Sequence, residues 1–187
     1  MKNKPIIMVL EGPSGAGKDT VTSELVKKYP GKYIKMISST SRKMRDDESQ
    51  GKPYLFLSRK EFEKRVESGD IFEYTIMSRD GEYRGMSREI IDKNIEEGLI
   101  QIKDCDPVGI RALRKAYKGC VVAIYLDVKK EEIEKRLRSR GGSEEEIIAR
   151  LNDFDEYSKI SEMCDYKVKN DEVDKCVKEI NEIVEDL

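Results

Sequence analysis

Short apolar runs separated by stretches of helical period set the layout of this chain. Residues 6–10, 33–37, 99–102 and 121–126 are nearly continuous hydrophobic segments, and a weaker one runs through 166–168. Runs of that length with little polar alternation fit strands buried on both faces. Between them, apolar residues recur at helical spacing over 20–29, 88–97, 130–138, 144–160 and 173–184. That spacing predicts amphipathic helices. Strands alternating with helices predict an α/β fold, a parallel sheet with helices on both faces.

Residues 38–87 break the rhythm. They contain the turn-rich stretches Asp46-Asp47-Glu48-Ser49-Gln50-Gly51-Lys52-Pro53 and Ser78-Arg79-Asp80-Gly81, with one helical pattern at 59–68. A structureless loop of that length is unusual inside a compact domain, so the segment reads as an inserted subdomain with short strands. The core domain then comprises 1–37 and 88–187. Further on, Ser143-Glu144-Glu145-Glu146 has the form of a capping box, and Gly141-Gly142 before it marks a hinge between two arginine-bearing helices. No internal repeat or low-complexity segment is visible.

Composition narrows the function. With 187 residues and 37% hydrophobic content the chain can bury one substantial core. Its 36 basic and 38 acidic side chains nearly cancel, giving a net charge of -2. A general nucleic-acid binder carries a basic excess, so no nucleic-acid partner is expected and any cationic site is local. The apolar runs are too short for a signal peptide or a membrane span, which predicts a cytoplasmic chain with no membrane partner. Cys105, Cys120, Cys164 and Cys176 contain no Cys-x-x-Cys pair and read as buried free thiols of a reducing compartment. The chain has no histidine, which removes histidine bases, Ser-His-Asp triads and histidine metal ligands together.

Gly12-Pro13-Ser14-Gly15-Ala16-Gly17-Lys18 follows the first buried run and precedes a helix. That is the setting of a phosphate-binding loop: glycines let successive N–H groups turn inward, the helix N-terminus adds positive potential, and Lys18 reaches the outer phosphates of ATP. Asp19 stands where Ser or Thr usually holds magnesium, with Thr20 after it. The Asp19 carboxylate can hold the ion through water, or it can serve only as a first-turn acid favouring the helix dipole.

Ser38-Ser39-Thr40-Ser41-Arg42-Lys43-Met44-Arg45 brings hydroxyls and two guanidinium groups out of a predicted strand, a composition suited to a phosphate dianion. Together with Gly51-Lys52-Pro53-Tyr54 and Ile71-Phe72-Glu73-Tyr74, this segment resembles the guanylate kinases. The resemblance implies that Arg42, Arg45 and Tyr54 hold the acceptor phosphate, that Ser38 touches the purine, and that Glu73 lies on the base. The chemistry of Glu73 agrees, since a carboxylate accepts from guanine N1–H and the 2-amino group together. Where the family usually carries Tyr-Gly-Thr or Tyr-Gly-Ser, this chain has Arg84-Gly85-Met86. Arg84 can still contact phosphate; Met86 offers no hydroxyl.

Residues 99–102 lead into Lys103-Asp104-Cys105-Asp106, whose two acids would point to one side of an extended chain. By the same resemblance Asp104 organises magnesium water and Asp106 contacts the acceptor nucleoside; the plain alternative is a pair of acids capping the next helix or turn. Arg136 and Arg140 are spaced to stack on one helical face, mutually repulsive by roughly 0.2–0.5 kcal/mol until a polyphosphate arrives. Arg140 and Arg150, flanking Gly141-Gly142, resemble the family's lid, here 136–151, and Asn170-Asp171 resembles its segment near adenine. The resemblance thus runs from Ile6 to Asp171 and implies magnesium-dependent transfer of the ATP γ-phosphate to GMP or dGMP by a monomer or homodimer acting on small-molecule nucleotides. The competing readings are a kinase of a phosphorylated sugar such as ribose bisphosphate, suggested by Gly17-Lys18-Asp19, and a silent phosphopeptide-binding module.

Overall fold

The computed structural model describes residues 7–187; Ile6, at the start of the first apolar run, lies outside them with residues 1–5. Along the chain come β1 (Ile7–Glu11), α1 (Lys18–Lys28), β2 (Tyr33–Lys35), β3 (Ser38–Thr40), β4 (Tyr54–Phe56), α2 (Arg59–Glu67), β5 (Ile71–Ile76) and β6 (Tyr83–Ser87). There follow α3 (Arg88–Glu96), β7 (Ile100–Lys103), α4 (Pro107–Ala116), β8 (Val121–Asp127), α5 (Lys130–Ser139), α6 (Glu144–Asn152), α7 (Phe154–Ile160), β9 (Tyr166–Lys169) and α8 (Val173–Glu185).

Five strands form a parallel sheet in the order β2-β7-β1-β8-β9. All five residues of β1 are buried, because alternate side chains enter different cores. Met8 and Leu10 pack with Val21 and Leu25 of α1, Ile133 of α5 and Ile180 of α8. Ile7 and Val9 pack on the opposite face with Ile91 of α3 and with Ile110 and Leu113 of α4. Burial on both faces is why the run lacks polar positions. The chain leaves β1 toward one edge of the sheet and later returns to fill its other side, so the C-terminal end of β1 is the switch point at which ligands of open α/β sheets bind.

Residues between β2 and α3 form a second sheet, β4-β3-β6-β5, with β3 and β4 parallel and the remaining pairs antiparallel. Its own small core holds the fully buried Phe62 with Leu57 and Ile71. Ser58 caps α2 by accepting from the N–H of Glu61 at 3.2 Å.

The pattern and the structure differ at several points. The helical stretch 144–160 is two helices: Asp153 closes α6 and Phe154 opens α7. Asn152 and Asp153 compete for backbone hydrogen bonds and break the run that the apolar spacing alone would continue. β2 stops at Lys35, although the N–H of Met36 still reaches the carbonyl of Ile102 at 2.9 Å. α4, absent from the helices expected above, has a buried face at Ile110 and Leu113 spaced one turn apart, and it carries terminal signals, Asp106 as N-cap and Pro107 in its first turn. All four cysteines are free, but Cys176 alone is fully buried; Cys105, Cys120 and Cys164 sit half-buried at element ends. Among the described residues no helix is long and apolar enough to cross a membrane.

Candidate active site

The chain turns from β1 into α1 through three glycines with positive φ: Gly12 (145°), Gly15 (91°) and Gly17 (95°). Space is as restrictive as conformation, since a Cβ on Gly17 would stand 2.6 Å from Asn170 Nδ2. No side chain caps the N-terminus of α1, so its first N–H groups face the loop uncommitted. Ser14 is half-buried and Ala16 buried, which leaves the concave side to backbone amides. Lys18 Nζ crosses the loop and donates to the carbonyls of Gly12 at 2.6 Å and Pro13 at 3.5 Å.

Asn170 and Arg136, expected on ATP, stand behind the loop. Asn170 Nδ2 donates to the carbonyl of Ala16 at 2.7 Å. The Arg136 guanidinium donates to the carbonyls of Asn170 at 2.8 Å and Ala16 at 3.4 Å, and to Glu132 at 2.9 Å. The Arg136 guanidinium and the Asn170 Nδ2 thus brace the loop from behind, while Asn170 Oδ1 is buried without a partner. Asp171 is exposed in the following bend. Thr20 and Asp19 face solvent, and Asp19 accepts from Lys35 Nζ at 2.8 Å, a contact that holds its carboxyl below the usual range. Its placement suits a first-turn acid. Asp19→Ser should therefore shift the magnesium dependence of turnover by less than about twofold in a metal titration, the scale of an exposed ion pair.

Opposite the loop lies a cavity of about 390 Å³ whose lining includes Ser38, Glu73, Arg84, Met86, Lys103 and Asp106. A bulge places Phe72 as an extra residue of β5, so that Glu73 faces Met86 of β6. Burial, and next the charge of Asp106, push the Glu73 carboxyl up, while Lys103 opposes them. Met86 is 2% exposed and belongs to the core beside Ile91. At the outer end the guanidinium groups of Arg42 and Arg84 flank the Tyr54 ring at 5.7 and 5.6 Å from its centroid. Arg42 is pinned by two bonds to Glu48, at 3.0 and 2.8 Å, and the Nε atoms of Arg42 and Arg84 are buried without partners. The Arg45 side chain is exposed, while its N–H donates to Glu48 at 2.8 Å. Sequence reasoning missed Glu48; an acid among turn residues carries no signal that it will orient an arginine.

Two more residues escaped it between loop and cavity. Glu11, 3% exposed at the end of β1, accepts from the N–H of Gly12 at 3.2 Å, and burial pushes its carboxyl up to about 7. Lys103 donates to Ser38 Oγ at 2.5 Å, and burial pulls its ammonium below the ordinary lysine value. Each is a lone charged residue closing an apolar strand, the one available signal. Asp104 and Asp106 both line this cavity; β7 ends at Lys103, and Asp106 also caps α4, accepting from the N–H of Gly109 at 2.8 Å. Asp104 stays open to the cleft, its carboxyl raised by burial and drawn down by Lys18. Among the described residues no three acids or cysteines converge on a metal position. This donor set fits Mg²⁺ that arrives on phosphates and keeps most of its waters, with Asp104 as outer partner.

Arg140 closes α5 and Arg150 lies on α6; both line one cavity of about 270 Å³ with Gly141, Gly142 and Glu146. The Arg150 guanidinium donates to Ser14 Oγ of the loop. Arg138 points away, paired with Glu134 and Glu144. Ser143 caps α6 by accepting from the N–H of Glu146 at 3.3 Å. The region thus holds a glycine-rich loop, a cavity lined by Glu73 and Arg84, and an Arg140–Arg150 cavity from which Arg150 reaches Ser14 of the loop.

Comparison with known proteins identifies the family. The family model described as guanylate kinase matches residues 2–187. A guanylate kinase of Symbiobacterium thermophilum is 32% identical, covering 98% of this chain and 87% of its own length. One from Caldanaerobacter subterraneus is 34% identical over 98% of this chain and 88% of its own. The crystal structure of guanylate kinase from Anaplasma phagocytophilum superposes with a TM-score of 0.69 at 26% identity, covering 99% of this chain and 87% of that one. The chain therefore belongs to the guanylate kinase family.

Proposed function

We propose that this protein transfers the γ-phosphate of ATP to GMP, giving ADP and GDP. The observation that carries the reading is the acceptor cavity, whose wall sets the half-buried Glu73 carboxylate beside Arg84, with Arg42 and Arg84 gathered about Tyr54. In this reading residues 38–87 form the acceptor-binding subdomain and 136–151 the lid. The loop amides and Lys18 bind the ATP phosphates. Arg42, Arg84 and Tyr54 bind the acceptor phosphate, with Arg45 joining as the subdomain closes. Arg140 and Arg150 supply positive charge to the transferred group, and the closed lid excludes water. Mg²⁺ carried by ATP would neutralise phosphate charge, with Asp104 as its nearest acid.

A coupled assay with GMP, dGMP, AMP, UMP and ribose bisphosphate tests the reading. GMP should be the preferred acceptor; turnover of another acceptor with none of GMP would overturn it. Glu73→Gln should cut the preference for GMP over AMP by about 10–100-fold, because the amide presents a donor where the base also donates. Its ATP affinity by calorimetry should match wild type.

A further inference from the structure

Lys103 lies in the acceptor cavity and has no role in the scheme above. It closes β7 in register with Val9 of β1, which fixes its backbone in the middle of the sheet. Its side chain lines the same wall as Ser38, Glu73 and Met86. Lysine seldom leaves water without compensation. Here the Nζ hydrogen bond runs to a neutral hydroxyl, Ser38 Oγ, at 2.5 Å. The Glu73 and Asp104 carboxylates are near enough to attract its charge. An ammonium has three N–H donors, and Ser38 occupies one.

The cavity wall therefore sets a donor beside an acceptor. Lys103 and Ser38 supply the donors, Glu73 supplies the acceptor, and the buried thioether of Met86 supplies no hydrogen-bond donor. A purine edge is read by the complementary order. Guanine offers the O6 acceptor, then the N1–H and 2-amino donors. Adenine offers its 6-amino donor, then the N1 acceptor. A donor placed for O6 would meet the adenine amino group head on, and both would be left unpaired in a half-buried site, the arrangement that rejects a wrong ligand most strongly.

Resting on the guanylate reading, we propose that Lys103 is a specificity-determining residue that donates to the 6-oxo group of the acceptor purine, while Glu73 accepts from N1–H and the 2-amino group. Two side chains from different sheets then divide the base between them. Lys103 comes from the rigid central sheet and Glu73 from the second one, so the pair is completed only when both elements sit on the same base.

The test uses three acceptors and two variants. GMP carries both features; 6-thio-GMP replaces O6 with a weak sulfur acceptor and keeps N1–H and the 2-amino group; IMP keeps O6 and lacks the 2-amino group. Wild type should prefer GMP to 6-thio-GMP by about tenfold or more in kcat/KM, the scale of a hydrogen bond to a charged donor. Lys103→Met keeps the aliphatic stem and removes the donor. It should reduce that preference to within about twofold, through KM more than kcat, and leave the ratio of GMP to IMP unchanged. Lys103→Gln restores a neutral donor and should recover part of the preference. ATP binding by each variant verifies that it is folded, and if Lys103→Met is not, Lys103→Gln carries the comparison with an intermediate ratio. A wild-type ratio of GMP to 6-thio-GMP in the variants would overturn the assignment, as would an equal fall in both ratios, which would make Lys103 a support for Glu73. Calorimetric titration of wild type with GMP separates the two proposals. No binding removes the guanylate reading and this assignment with it, whereas binding with unchanged ratios removes this assignment alone.

Discussion

Lys18→Met should lower kcat about 10²–10³-fold while leaving the melting temperature within a few degrees of wild type. The loop does not need Lys18 for its shape: Gly12, Gly15 and Gly17 set the backbone, and Asn170 and Arg136 hold the Ala16 carbonyl from behind. What Lys18 contributes is a mobile positive charge. Its Nζ donates to the Gly12 carbonyl at 2.6 Å, a neutral partner that a phosphate oxygen can replace. Removing one preorganised donor from a developing oxyanion costs roughly 3–4 kcal/mol. Because phosphoryl transfer relies on positioning and charge rather than on covalent help from the protein, little else can cover the loss. Methionine keeps the unbranched stem, so the loss falls on the charge and not on packing. Steady-state kinetics should show kcat and kcat/KM for GMP falling together, the mark of an interaction strongest in the transition state. A residual rate within tenfold of wild type would place that charge on Arg140 and Arg150 instead.

The loop was legible because glycine at Gly12, Gly15 and Gly17 is dictated locally by a positive φ, although the atoms that also crowd these positions, such as Leu126, Ile133 and Asn170, lie far along the chain. The two-faced burial of β1 was legible for a related reason, since a run without polar positions leaves no side for water. Polar residues whose role depends on partners distant in sequence were not legible in that way. Asn170 reads as a turn residue until β9 sets it 2.7 Å from the Ala16 carbonyl. Arg136 and Arg140 share a helix face by spacing, yet Arg136 turns to the back of the loop while Arg140 lines the lid cavity. Asp106 reads as an acid at the end of a strand, and the short helix it caps begins at once with Pro107, leaving only Ile110 and Leu113 to mark its buried face. Lys103 and Glu11 each close an apolar run, and nothing local says that one enters a cavity and the other is buried against the Gly12 N–H. Periodicity reports which face is buried; it does not report what a buried charge meets.

Glu11→Gln should stabilise the nucleotide-free protein at pH 8 and do little at pH 5. The Glu11 carboxyl is raised from 4.5 to about 7, chiefly by burial, with the Gly12 N–H opposing and the nearby Asp104 charge adding. The folded chain therefore binds this proton more tightly than the unfolded chain does. Below pH 4.5 both states are protonated and no cost arises. Between 4.5 and 7 the unfolded chain ionises while the folded chain resists, so stability falls as pH rises; above about 7 the full cost is present. A gap of that size corresponds to at most about 3 kcal/mol, or roughly 5–10 °C in melting temperature for a chain of this length. Glutamine keeps an oxygen to accept the Gly12 N–H, which stands 3.2 Å away, and carries no charge to desolvate. Thermal melts from pH 5 to 9 should show the two proteins converging in acid and separating through neutrality, and parallel curves would remove the buried-charge account. The same charge lies within electrostatic reach of Lys18 at the start of the loop. ATP affinity of wild type should therefore fall as pH rises through 7, beyond the small change that ATP's own ionisation gives the Glu11→Gln protein. A carboxylate that destabilises the empty fold and opposes the entering polyphosphate would make its protonation a condition of tight donor binding at neutral pH.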